Sequence, residues 1–325
     1  MDLSTSSSLC LNAERMHTAR AVEIVQWLEI LMDIISLTAM TVLIRRKFFR
    51  KTASLVNRNM KVIGAFGIFF YYTAILFSIA LHVYFKILRY TAENACDFVW
   101  SPLPCIFFRL PVFIAFVGFS VFHLVLFIER ATSTFGRGCV VETRCGVVLI
   151  TITITLPVLI TLIPLSTDNF HSSRSYCFSN SAMSPIYVVA CMSVTAVSDI
   201  FVAIGDVVIY IYNRRSLLNK HSSVYTLDNS FRLRETQLSM NIIFPFATIH
   251  ASVFMLYVIS VIASNFYSVL SSLDKTSALL QIVSITKSVY LAGVPMLVLL
   301  FVRNKDDENW VDAHKRTNIH YNYNW

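Results

Sequence analysis

Charge is the scarcest commodity in this chain. Only 14% of its 325 residues are Asp, Glu, Lys or Arg, against roughly 25% in a soluble globular protein. That deficit excludes a protein whose whole surface meets water. Other absences narrow the field further. No H-E-x-x-H, G-x-S-x-G or P-loop pattern occurs, so no catalytic residue, metal-ligand set or cofactor is expected. No Asn-x-Ser/Thr sequon is present. No basic segment runs into a short apolar core and a small-residue cleavage site, so the expectation is an uncleaved first apolar segment acting as a signal anchor. Hydropathy symmetry between the halves is missing too, which argues against a transporter built from paired repeats and broken helices. About the first twenty residues are polar, with too little chain to form a domain for a large protein ligand.

What the chain does have is long apolar runs. Apolar and aromatic residues make up 56% of it, and its mean hydropathy is +0.63. A helix needs about 20 mainly apolar residues to cross a bilayer core of roughly 30 Å. Seven stretches meet that requirement, near 21–44, 62–87, 105–128, 145–165, 185–212, 241–263 and 277–302. Each is continuous rather than alternating, which points to helices rather than barrel strands. The fold class expected is an all-α membrane protein, one seven-helix domain with a short tail over 303–325.

Orientation follows from where Lys and Arg fall. Arg45, Arg46, Lys47, Arg50, Lys51, Arg58 and Lys61 fill the first connection. Arg130, Arg137 and Arg144 follow the third span, and Arg214, Arg215, Lys220, Arg232 and Arg234 follow the fifth. Arg303, Lys305, Lys315 and Arg316 close the chain, which puts nineteen basic residues on one side. The other side has five: Arg15, Arg20, Arg89, Arg174 and Lys275. The asymmetry predicts an outside N-terminus and a cytoplasmic C-terminus. It also accounts for the net charge of +8 without nucleic acid, since no soluble domain carries a basic stripe.

Seven helices in that orientation are the architecture of G-protein-coupled receptors, whereas a seven-helix odorant-gated channel, the main alternative, has the inverted topology. Fold does not by itself prove function, so local motifs matter. The third span ends in Ile128-Glu129-Arg130-Ala131-Thr132, an acid followed by Arg where receptors carry Asp/Glu-Arg-Tyr. The acid can hold the Arg at rest, and release would free it for a G protein; an ordinary interfacial charge pair is the alternative. Cys105 starts the same span at its outer end and Cys177 lies between spans four and five. A Cys105–Cys177 disulfide would pin that connection over the bundle mouth in an oxidising compartment. Cys10 and Cys96 lie on the same side and compete for either partner.

Over 96–132, the run Cys96-Asp-Phe, Leu103-Pro-Cys105, Phe108-Arg109-Leu-Pro111 and Glu129-Arg130-Ala-Thr132 resembles the nematode serpentine chemoreceptors of the Sra superfamily, and most of all serpentine receptor class alpha/beta. Phe231-Arg-Leu-Arg-Glu235-Thr236, with Pro245 beyond it, is similar to that family's Tyr-Gln-Leu-x-Glu-Asn before helix six. Phe231, Arg232 and Thr236 depart from it, and the stretch after Ala-Thr, Ser-Thr-Phe-Gly-Arg-Gly-Cys, is degenerate. The resemblance implies a chemosensory receptor in the plasma membrane of sensory neurons that signals through a heterotrimeric G protein.

Ionisable groups inside spans cost about 2.5–3.5 kcal/mol each on insertion scales, so they should face the bundle. Glu29 and Asp33 lie one turn apart in span one; Asp199 and Asp206 are in span five. Spans one and seven are neighbours in a seven-helix bundle, and Asp33–Lys287 is an expected buried pair. Lys287 precedes Pro295 by eight residues, a loose echo of the retinal lysine of opsins, but the Asn-Pro-x-x-Tyr motif is absent and a structural pair is preferred. Arg109, His250 and Lys287 are the candidate lining of a pocket for a small, acidic ligand, with internal pairing or snorkelling as the alternative. On the cytoplasmic side Arg232 and Arg234 are candidate G-protein contacts, and Glu235 a candidate partner for Arg130. Their alternative role is attraction to an anionic leaflet, worth about 1 kcal/mol each.

Overall fold

The computed structural model describes residues 3–48, 58–135, 142–166, 185–218, 247–263, 285–297 and 299. They are almost entirely helical. Helix α1 spans Leu3–Thr18, α2 Arg20–Phe48, α3 Arg58–Thr91, α4 Pro102–Phe135, α5 Glu142–Ser166 and α6 Pro185–Leu218. Helix α7 covers Ala247–Ala263 and α8 covers 285–297. A short 3-10 turn, Ala95–Phe98, lies between α3 and α4.

Five of these helices, α2 to α6, are long and apolar enough to cross a membrane. The described parts of the remaining two expected spans are α7 and α8, within 241–263 and 277–302. The helices outrun the apolar stretches: the third span, expected over 105–128, belongs to a helix running from Pro102 to Phe135. Helical hydrogen bonding satisfies the backbone equally well beyond the hydrocarbon edge, so the apolar window marks the lipid and not the helix end. Pro111 sits inside α4 without ending it.

The burial pattern is inverted relative to a soluble bundle. On α2, Gln26, Glu29, Asp33 and Ser36 are buried while Ile24, Trp27, Leu28, Leu31 and Ile34 are exposed. On α6, Asp199, Asp206 and Asn213 are buried while Val194, Phe201 and Val208 are exposed. The inward stripe of α2 recurs at three- and four-residue spacing and that of α6 at seven, each one helix face. Apolar faces this extensive mark contact with lipid.

Helix α4 is the hub. In its most apolar stretch 61% of residues are buried, against 22–39% in the other four spanning helices. It packs on α3 through two reciprocal close approaches. Phe122 of α4 lies over Gly67 of α3, and Phe70 of α3 lies over Gly118 of α4; an added Cβ would meet those rings at 2.8 and 2.9 Å. Gly205 of α6 receives Phe127 of α4 in the same way. Small residues let helices approach where lipid supplies no hydrophobic drive. Around this axis Phe70, Phe116, Phe119, Met192, Phe254 and Tyr290 form the apolar core.

The polar N-terminal stretch forms α1 and is tied down rather than trailing. A disulfide joins Cys10 to Cys96 in the 3-10 turn, so the two cysteines left as competitors pair with each other. His17 packs between Phe85 and Phe98, with ring centroids 5.1 and 5.4 Å away. Arg89 of α3 donates to the carbonyls of His17 and Thr18 at 3.1 and 3.3 Å, capping the end of α1 with the charge its dipole favours. The same guanidinium pairs with Glu23 at 2.9 Å. Cys105, buried beside Phe85 and Trp100, is itself disulfide-bonded. Its expected partner Cys177 lies outside the described residues.

Candidate receptor switch and ligand site

Residues 120, 123 and 130 project from one side of α4, because steps of three and seven return to the same face. Asp199 and Asp206 share a face of α6 for the same reason. Where those faces meet, five ionisable side chains are buried: His123, Arg130, Asp199 and Asp206 from α4 and α6, and His250 from α7.

They form a continuous chain. The Tyr290 hydroxyl of α8 lies 2.5 Å from His250 Nδ1, and His250 Nε2 lies 3.6 Å from Asp199 Oδ2. Ser120 donates to that same oxygen at 2.7 Å. The other oxygen, Asp199 Oδ1, is 3.2 Å from His123 Nδ1. His123 Nε2 is 3.3 Å from Asp206 Oδ2, which also accepts from Arg130 Nη2 at 3.4 Å. Arg130 Nε donates to the Leu126 carbonyl at 2.9 Å.

Carboxylates accept and do not donate. With a carboxylate at each ring nitrogen, His123 satisfies both as the doubly protonated imidazolium. His250 Nδ1 is hydrogen-bonded to the Tyr290 hydroxyl, and its Nε2 faces Asp199. Two carboxylates, one imidazolium and one guanidinium then balance, which is how a bilayer interior can hold them.

Of the expected switch residues, Glu129 and Arg130 are both buried at the α4 end remote from Cys105. Glu129 accepts from Ser133 at 3.4 Å. Asp206, 76 residues away in sequence, accepts from the Arg130 guanidinium, and Glu129 also lies within its electrostatic reach. Arg232, Arg234 and Glu235 lie outside the described residues. The three expected pocket residues go to different neighbourhoods. His250 joins the chain just described, Lys287 donates to Ser78 of α3 at 2.8 Å, and Arg109 is half-buried near the Cys105 end of α4.

Lys287 belongs to a second polar cluster, between α2, α3 and α8. Asp33 lies within electrostatic reach of Lys287 and beside Ser78 and Ser288. One turn away Glu29 and His82 pair at 3.0 Å, both buried. The Ser36 and Tyr71 hydroxyls lie in hydrogen-bond contact with each other and with the Leu291 carbonyl, so that one donates to the other and the second donates to the carbonyl.

Reasoning from the sequence missed Ser120, His123, Tyr290 and His82. A signal for His123 was present: it precedes Arg130 by seven residues, which places both on one helix face.

The chain matches the family model of the serpentine type 7TM GPCR receptor class ab chemoreceptors over residues 10–323. It belongs to that family. No curated protein matches it. As a member of this class, the receptor is a membrane protein of the G-protein-coupled type, and the resemblance carried by Cys105, Arg109 and Glu129-Arg130 extends over nearly the whole chain. The same membership makes the buried chain from Tyr290 to Arg130 a receptor's interior.

Proposed function

We propose that the receptor binds a small molecule near the Cys105 end of α4, α6, α7 and α8 and activates a heterotrimeric G protein at the Arg130 end. One observation carries the reading: a single buried polar chain, hydrogen-bonded except for the 3.6 Å ion-pair contact of His250 with Asp199, runs from Tyr290 on α8 through α7 and α6 to Arg130 on α4. From Cys105 to Arg130 is about 38 Å of helix at 1.5 Å per residue, enough to cross the hydrocarbon core. A ligand that moves α7 or α8 changes the hydrogen bonds of His250. The change reaches Asp206, and Asp206 holds Arg130.

In this reading the chain crosses the plasma membrane of a chemosensory neuron seven times, with α7 and α8 as the last two spans. The N-terminus and α1 lie outside, and the basic connections lie in the cytoplasm. Arg130, freed from Asp206, reaches the G protein, with Arg214, Arg215, Arg232, Arg234 and Glu235 lining its dock. Arg109, half-buried near the Cys105 end of α4, favours an acidic ligand, and Asp33 and Lys287 act as a buried pair bridged by Ser78.

The test is heterologous expression with a panel of small odorants and a second-messenger readout. Arg130→Ala should abolish the evoked signal while surface expression stays normal. Unchanged signalling in that variant would sink the proposal.

A further inference from the structure

His123, Asp199 and His250 come from three different helices, yet their ligand atoms all lie within 4.8 Å of one another and all three side chains are buried. We propose that these three residues bind a divalent transition-metal ion of the zinc class, which clamps α4, α6 and α7 together.

The donor set comes first. Two imidazole nitrogens and one carboxylate are a three-protein-ligand zinc set with a fourth position left for water. Imidazole selects zinc, copper or nickel over calcium and magnesium, which require oxygen ligands. The spacing is close to what the ion needs. Ligands about 2.1 Å from a tetrahedral zinc sit roughly 3.4 Å apart. His123 Nδ1 and His250 Nε2 are 3.2 and 3.6 Å from the two oxygens of Asp199. Bringing atoms that lie up to 4.8 Å apart to that spacing takes a side-chain movement of up to about 1.4 Å.

The second, independent observation is the outer shell. Metal-binding histidines almost always have their other ring nitrogen held by a carboxylate, carbonyl or water, which sets tautomer and ring direction. His123 points its remote nitrogen at Asp206 Oδ2, 3.3 Å away. His250 points its own at the Tyr290 hydroxyl, 2.5 Å away. Asp199 is in turn held by Ser120 at 2.7 Å. All three ligands are therefore aimed before an ion arrives. The ion takes the place of the proton between His123 and Asp199, since a ligating imidazole must give up that proton. The sequence concealed this set because His123 and Asp199 are 76 residues apart, far from any local metal motif.

One consequence rests on the receptor reading above. An ion joining α4, α6 and α7 opposes the separation that would free Arg130, so it holds the resting state.

The experiment uses the full-length receptor, stripped of metal and reconstituted in nanodiscs, with Co2+ as a spectroscopic probe and Zn2+ as competitor. The expected result is a saturable visible band of tetrahedral Co2+ at one ion per receptor, displaced by Zn2+. The band should be lost in His123→Gln and in His250→Ala. His250→Cys keeps a ligand at that place and should restore binding with a new sulfur-to-cobalt charge-transfer band. A wild-type receptor without a saturable band overturns the site. So does a band that survives in the His123→Gln/His250→Ala double variant, which would put the ion on other histidines. Binding is read without any signalling, so this result and the G-protein reading stand or fall separately.

Discussion

At the scale of single residues, the arrangement turns on Asp206. It holds Arg130 and His123 with the same oxygen, so removing its charge takes that carboxylate from Arg130 and leaves His123 with Asp199 alone. Breaking a buried pair by deleting one partner costs about 3–5 kcal/mol. Asp206→Asn is therefore expected to lower the melting temperature of the purified receptor. It should also raise ligand-free second-messenger output per receptor at the cell surface, because Arg130 is no longer held; output at or below wild type would count against Asp206 as the restraint. Glu129, adjacent in sequence, was the legible candidate for that role. Asp206 was legible only as a costly acid in a span, since its partner is set by how α6 is rotated against α4. His17 gives the residue scale a pH dependence. Burial, and next the charge of Arg89, lowers its pKa from 6.5 to about 4. A base depressed in the folded state stays neutral there while the unfolded chain takes up a proton. Its contribution is thus complete above about pH 6.5 and is lost as pH falls towards 4, by about 3 kcal/mol in all. Protease cleavage of α1, followed from pH 7 to 4, should rise more steeply in wild type than in His17→Gln. Parallel curves would remove His17 as the cause.

At the scale of elements, the contact of α3 with α4 depends on two glycines receiving two phenylalanines. Gly118→Leu puts a side chain where the Phe70 ring already lies within 2.9 Å of a bare Cβ. Overpacking of this kind costs about 1–3 kcal/mol. A lower melting temperature is expected for Gly118→Leu, with partial recovery in Gly118→Leu/Phe70→Ala, where the ring is gone. Gly64→Leu, with open space around its Cβ position, serves as the control and should melt close to wild type. The spanning helices themselves were legible, because continuous apolar length is a property of the chain alone. Helix α1 was not. Its residues are polar and short of apolar periodicity, and what orders them is external: the Cys10–Cys96 disulfide and the Arg89 cap. Cys10→Ser should leave the bundle folded while making α1 sensitive to protease. Protection equal to wild type would show that Arg89 and the His17 packing suffice.

At the scale of the whole molecule, the distribution of Lys and Arg predicts the N-terminus and α1 on the outside. An epitope placed before α1 should be reached by antibody on intact cells. Access only after permeabilisation would invert the topology and favour a channel of the N-in class. Hydropathy and charge asymmetry determined that this chain is a multi-helix membrane protein, and the motifs around Cys105 and Glu129-Arg130 were enough to suggest its family. These signals are carried by composition and by residues close in sequence, so no folding is needed to see them. Which charges meet was decided only by tertiary structure. Helix rotation sent His250 to Asp199, Lys287 to Ser78 and Arg130 to Asp206. The physical reason is that lipid exposure turns the ionisable residues of the spans inward without choosing their partners. The choice is made by close packing between helices distant in sequence, at contacts such as Gly205 with Phe127, which lie beside Asp206 and Arg130.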